Sequence, residues 1–263
     1  MNAAERQHPL RGLSVLVTRP AHQAATLCEA IEARGGTAIR FPVLEIAEPE
    51  DPDAVLHAAE RLEGFDFAVF VSANAVSKTL DRILSVRQWP DALPIAVIGE
   101  RSGRELQRYG LSAALIPPHQ FNSEALLAMP ELARVAGKRF ILFRGTGGRE
   151  LLADTLRGRG AQVEYVEAYR RRRPDADPEP LLRRWRAGEQ DLVLAYSAES
   201  LHNLLDMVGG EGADLVTRMP LVVVSPRMVE LAGKLGFDCD PVVAANASDD
   251  AVLSTLLARA RLS

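Results

Sequence analysis

The chain has 263 residues, 47% of them hydrophobic and 25% charged, with a formal net charge of −4, enough for one large or two ordinary domains with a proper core. The mild acidity argues against a general nucleic-acid binder and leaves any anion site as a local positive region. Two cysteines (Cys28, Cys239) and five scattered histidines fit no metal-ligand spacing, and no apolar run has signal-core or membrane-span length, so reduced thiols, a cytoplasmic location, no metal and no membrane partner are expected.

Met1 to Leu10 is expected to be a mobile polar tail. Leu13 to Val17 has the apolar run of a buried strand, and Pro20 suits a helix start, where its missing N–H has no partner. That helix is expected to reach Arg34 and to end at Gly35-Gly36. Thr37 to Phe41 reads as a second strand. Pro42 to Pro52 is longer than a common strand-to-helix loop and reads as extended. A helix over Val55 to Leu62 and a strand over Phe67 to Val71 follow, and then Ser72 caps a helix carrying Val76 and Leu80. Ile95 to Ile98 is a strand, Glu100 to Tyr109 a helix and Ala113 to Ile116 a short strand, and Ser123 caps the next helix.

In Lys138 to Arg149, KRFILFRGTGGR, a buried strand meets a glycine-rich turn, with a helix expected from near Gly147. Further strands lie near Val163–Val166, Leu192–Tyr196, Leu221–Val224 and Pro241–Ala244, and further helices begin near Glu179, Ala198, Pro226 and Asp249. Val166 to Pro178 is again extended and proline-ended, which together with Pro42 to Pro52 suggests a paired two-strand linker.

An offset of 125 pairs Arg19 with Arg144, Leu27 with Leu152, Ile31 with Leu156, Gly35 with Gly160, Asp66 with Asp191 and Ser72 with Ser197. With one inserted residue, Pro94 pairs with Pro220 and Gly110 with Gly236. A register held this long marks two copies of one α/β unit, each about half the chain. Alternating strands and helices predict parallel sheets covered on both faces, with the strand carboxyl ends on one edge of each sheet.

Open α/β sheets bind ligands at that edge. The residues there are Thr18, Arg19, Ser72, Gly99, Ser102 and Ser123 in the first copy, and Arg144, Gly145, Ser197, Ser225 and Arg227 in the second. They are small, hydroxylated or cationic, so helix-start N–H groups stay accessible to carboxylates or phosphates. Each Ser or Thr is also a helix cap in its own right, and Tyr169 also reads as a packing residue. The Arg170 to Arg173 run reads as a solvated face. Neither GxGxxG nor GxxxxGK[ST] occurs, which argues against a nucleotide. A two-lobed cytosolic small-molecule binding or regulatory protein would share this layout. A receiver-like pair would need acidic clusters where Thr18, Arg19 and Ser72 stand.

The segments SVLVTRP, FVSANAV, IGERSGREL, FNSEALL, FILFRGTGGRELLADTLRGRGAQVEYVEAYRR, LAYSAES and VVVSPRMVELAGKLG, in this order, resemble uroporphyrinogen-III synthase from about Leu10 to Ala260. The resemblance implies two similar parallel-sheet, three-layer α/β domains joined by a two-stranded linker. One domain would be discontinuous, 1–42 with 172–263; the other would be the insert 49–165; the linker strands would be 43–48 and 166–171. It also implies a cofactor-free, monomeric enzyme that closes the polycarboxylate hydroxymethylbilane into uroporphyrinogen III, losing water and inverting ring D through an azafulvene cation and a spiro intermediate. The family tyrosine of the second linker strand matches Tyr169, which makes it the candidate general acid. The family often has a hydroxyl residue in both repeats at the place of Ser102; the second repeat here has Met228, so that contact is expected to be lost or taken by Ser225.

Overall fold

The computed structural model describes residues 8–148 and 150–260. Residues 1–7 of the expected tail, Arg149 of the glycine-rich turn and the last three residues lie outside that range. In chain order the elements are β1 (Ser14–Val17), α1 (Ala21–Glu32), β2 (Thr37–Arg40), β3 (Glu45–Ala47), α2 (Ala54–Ala59), β4 (Phe67–Phe70), α3 (Ala73–Ile83), β5 (Ile95–Val97), α4 (Glu100–Arg108) and α5 (Ser123–Leu127). There follow β6 (Arg139–Gly145), α6 (Leu151–Gly158), β7 (Gln162–Arg172), α7 (Glu179–Arg186), β8 (Asp191–Ala195), α8 (Ala198–Val216), β9 (Leu221–Val223), α9 (Arg227–Lys234), β10 (Val242–Val243) and α10 (Asp249–Ala260). No helix among the described residues is long and apolar enough to cross a membrane.

Two compact units result. One holds the described residues up to Glu45 and those from Arg172 on; the other is Ile46–Arg171. The first contains a sheet in the order β10-β9-β8-β1-β2; the other sheet runs β3-β7-β6-β4-β5. The registered pairs from β1 to β2, β1 to β8, β8 to β9 and β9 to β10 are parallel, as are β4 to β5, β4 to β6 and β6 to β7. The chain changes unit at Glu45/Ile46 on β3 and at Arg171/Arg172 on β7, which neighbour one another in one sheet.

The half-chain copies are therefore not the folding units. β1 and β2 come from the first copy and pair with β8, β9 and β10 of the second. The second sheet likewise joins β4 and β5 to β6 and β7. The central strands β1, β4 and β6 carry buried apolar runs because both faces are covered. Leu16 packs in one cluster while its neighbours Val15 and Val17 pack in another. Val69 and its neighbours Ala68 and Phe70 divide in the same way, as do Leu142 and its neighbours Ile141 and Phe143. A period of two with both faces buried is the pattern of a parallel sheet between two helix layers. Fully burying each such side chain stabilises the fold by roughly 1.5–3 kcal/mol.

Several local expectations shift. Ala113 to Ile116 forms one isolated bridge, Leu115 with Ala96, instead of a strand. The helix expected over Val55 to Leu62 ends at Ala59, and a short 3-10 turn covers Leu62–Gly64. The cap before α5 is Asn122, whose Oδ1 accepts the Ala125 N–H at 2.8 Å, so Ser123 is the first helical residue. The helix expected from Gly147 starts at Leu151 instead, because Gly147 sits at φ +74° and keeps the chain turning.

Candidate active site

In each sheet the strand order reverses once, and the crevice at the carboxyl ends of the two strands flanking that reversal is where such sheets take ligands. In the unit Ile46–Arg171 the reversal lies between β4 and β6. Ser72 follows β4 and caps α3, its Oγ accepting the Ala75 N–H at 3.0 Å. The same Oγ lies 3.1 Å from the Tyr169 hydroxyl. Gly145 ends β6 and pairs with Tyr169 of β7. A Cβ at Gly145 would come within 2.7 Å of the Tyr169 ring, so only glycine lets the ring lie there.

Tyr169 owes its direction to a bulge. Arg144 pairs with Glu167, but Gly145 pairs with Tyr169, leaving Ala168 as the extra residue on β7. Strict alternation would send Ala168 and Tyr169 to opposite faces. Both instead enter one core cluster, and Tyr169 is 2% exposed. The candidate general acid is thus an interior side chain whose hydroxyl reaches the half-buried Ser72.

The glycine-rich turn folds round its own arginine. Arg144 is buried, donates from Nη1 to Glu150 at 2.8 Å and from Nε to the Gly145 carbonyl at 3.2 Å, and lies 4.5 Å from the Tyr165 ring centroid. Thr146 donates to Glu167 at 2.8 Å. The Tyr165 hydroxyl and the Arg144 guanidinium hold the Glu150 carboxyl below the usual range. Burial, with Glu150 beside it, pushes the Tyr165 phenol up to about 12. Gly99 caps α4 from an extended backbone, and Ser102 is buried within that helix. The exposed Phe121 lies against Gly99, where an added Cβ would meet it at 3.0 Å.

In the other unit the reversal lies between β1 and β8. Thr18 bridges it, donating to the Leu194 carbonyl at 2.6 Å. Arg19 is buried, paired with Asp249 at the start of α10, and 4.5 Å from the Tyr196 ring centroid. Burial pushes the Tyr196 phenol up to about 12 against the pull of Arg19. Ser197 caps α8 through a reciprocal pair with Ser200, at 3.1 and 3.0 Å. Ser225 is half-buried at the end of β9, and Arg227 is exposed at the first turn of α9. Met228 is 4% exposed and belongs to the core cluster with Val223, Ala232 and Phe237.

The candidates therefore sort by sheet, not by sequence copy. Thr18, Arg19, Ser197, Ser225 and Arg227 share one sheet edge; Ser72, Gly99, Ser102, Ser123, Arg144, Gly145 and Tyr169 belong to the other unit. Arg19 and Arg144 already have carboxylate partners. Sequence reasoning missed the cap at Asn122, although Asn is as strong a capping residue as Ser. It also missed both arginine–tyrosine stacks, which join residues that the offset of 125 does not relate.

The sequence model of the family described as uroporphyrinogen-III synthase HemD matches residues 25–254. The uroporphyrinogen-III synthase of Escherichia coli K12 is 33% identical over 93% of this chain and 100% of its own. The chain belongs to the uroporphyrinogen-III synthase family. Another relative, the uroporphyrinogen-III synthase of Synechococcus elongatus, is 31% identical over 83% of this chain and 84% of its own. Among solved structures, a mutant uroporphyrinogen III synthase of Thermus thermophilus has a TM-score of 0.62 at 18% identity, covering 95% of this chain and 99% of that one. The uroporphyrinogen-III synthetase of Helicobacter pylori has a TM-score of 0.58 at 13% identity, covering 94% and 99%. At these identities the likeness carries the fold only. In this member of the uroporphyrinogen-III synthase family Met228 is a core residue.

Proposed function

We propose that this chain cyclises hydroxymethylbilane to uroporphyrinogen III, losing water and inverting ring D. The observation that carries the reading is family membership over nearly the whole length, 33% identity across 93% of the chain and 100% of the Escherichia coli enzyme. The site chemistry is compatible with it. Carboxylates of the substrate meet helix starts at Ser72, Gly99, Ser102, Ser123, Ser197 and Ser225, with Arg227 adding charge at an exposed end. Each charge-assisted hydrogen bond adds about 1.5–3 kcal/mol net. Thr18 ties β1 to β8 at the edge beside Ser197, Gly145 makes room for Tyr169 beside Ser72, and Arg19 and Arg144 are held at the same edges by Asp249 and Glu150.

The bilane also closes unaided to the non-inverted isomer, so the protein's main task is to hold one conformation of a flexible chain, an effect that supplies ~7–11 kcal/mol at best. Departure of the hydroxyl as water needs a proton, and Tyr169 is its proposed source, accelerating that step by roughly 10²–10⁴-fold. Ring D is attacked first at its substituted carbon, and the spiro intermediate reopens and recloses inverted. No cofactor takes part in this scheme. We further propose a monomer in the cytoplasm, with residues 43–48 and 166–171 as linker strands, a division supported by the unit changes on β3 and β7. The reading as a regulatory small-molecule binder has no observation in its favour.

The test is a coupled assay in which porphobilinogen and its deaminase generate the bilane and the oxidised porphyrins are separated by isomer. Predominantly type III product is expected. Type I alone, from a folded sample, would overturn the reading.

A further inference from the structure

Tyr169 cannot meet a ligand as it stands. Its side chain is 2% exposed, its ring is held against Gly145, and its hydroxyl lies 3.1 Å from Ser72 Oγ. Three features built from different parts of the sequence converge on that contact. The bulge at Ala168 turns the ring inward, the bare Gly145 leaves room for it, and the end of β4 sets Ser72 beside it at the reversal of strand order. Ser72 is half-buried where Tyr169 is buried, so of the two residues it is the one that solvent reaches.

Resting on the functional reading above, we propose that Ser72 is the group that touches the leaving hydroxyl of the substrate, and that Tyr169 acts through it as a positioning residue and proton source. The protons balance. Ser72 Oγ gives its proton to the departing hydroxyl as the C–O bond breaks, and water leaves. Ser72 Oγ takes the Tyr169 proton in the same movement, so the negative charge rests on the phenolate and not on an alkoxide. The proton shed from the pyrrole carbon when the macrocycle closes returns along the same path. The first turn of α3 favours this arrangement, since the Ala75 N–H donates to Ser72 Oγ and the positive helix end lies beside the developing charge. Linked hydroxyls also polarise one another away from bulk water.

A cap and a proton path are separable by choice of variant. Ser72→Asn keeps a side-chain oxygen for the Ala75 N–H but has no hydroxyl; Ser72→Thr keeps both. Initial rates of type III formation would be measured for these two, for Tyr169→Phe and for Ser72→Asn with Tyr169→Phe, alongside thermal unfolding. Ser72→Asn is expected to melt like the wild type, to lose roughly 10²-fold in kcat and to keep its KM within about threefold. Ser72→Thr restores the turnover. Tyr169→Phe added to Ser72→Asn costs nothing further, because two members of one path are not additive. Wild-type kcat in Ser72→Asn, or losses that multiply in the double variant, would overturn the inference while leaving the type III activity in place. Absence of type III from the wild type would overturn the functional reading and this inference together.

Discussion

Arg19 and Arg144 stand at equivalent ends of β1 and β6, and each lies 4.5 Å from the centroid of a tyrosine ring with its charge met by a carboxylate at a helix start. The arginines are related by the repeat; their partners are not. Asp249 and Tyr196 serve one, Glu150 and Tyr165 the other. The same requirement, a buried guanidinium at a strand end, has been met twice with different residues.

This geometry makes the arginines structural before it makes them ligands. Arg144→Ala removes stacking on Tyr165 and the hydrogen bonds of a buried guanidinium, and is expected to lower stability by about 1–3 kcal/mol. KM should move by less than about threefold. Denaturant unfolding and steady-state kinetics on one preparation decide the matter: a large rise in KM with unchanged stability would make Arg144 a direct carboxylate ligand.

Gly145→Ala should damage both fold and turnover. The new Cβ meets Cε2 and Cζ of Tyr169 at 2.7 Å, so the ring must move and its contact with Ser72 opens. Overpacking of this kind costs about 1–3 kcal/mol. Gly158→Ala is the contrasting case. It is helical with nothing within 4 Å of the added Cβ, and should stabilise the protein by about 0.5–1 kcal/mol. Paired melting curves of the two variants test the assignment, and equal shifts would count against the close approach at Gly145.

Acid should weaken the unit Ile46–Arg171 first. Lys78 and Arg82 outweigh the burial of Glu48 and leave its carboxyl below the usual range; Arg87 does the same for Glu63, Lys138 for Asp66, and Tyr165 with Arg144 for Glu150. Of the other unit's described carboxyls, Glu211 is lowered, by Arg186. A folded value below the unfolded one adds stability that is complete above the ordinary carboxylate range of about 4 and is lost as pH falls through the folded value. Amide hydrogen exchange at neutral pH and near pH 3 should show protection falling more in 46–171 than elsewhere. An even loss across the chain would refute the unequal weighting.

The repeat was legible because Arg19, Ser72 and Pro94 keep register with Arg144, Ser197 and Pro220, yet the sheet pairing was not readable from that register. β1 has the same apolar pattern as β6, and β4 the same as β8, so strand chemistry does not say whether β1 lies beside β4 or β8. Only the resemblance to a family with non-sequential domains implied the exchange. The Ser72 cap was readable because its signal is local, whereas the Asn122-Ser123 pair offered two good caps and no local reason to prefer the first. Tyr169 was readable both as a packing residue and as a site residue, but the face it turns to was not, since the bulge at Ala168 breaks the alternation from which direction is inferred.

Met228 stands where the first repeat has Ser102. Its counterpart is also buried, so the position faces inward in both units. Met228→Ser would leave a gap beside Val223, Ala232 and Phe237 and place a hydroxyl in an apolar cluster. The expected cost is about 2–4 kcal/mol, from the lost volume and the buried polar group together. Isomer ratio and KM should stay as they are in whatever fraction remains folded. A gain in type III output or a drop in KM, with stability unchanged, would mean that this position reaches the substrate after all and that the core placement of Met228 does not describe its role.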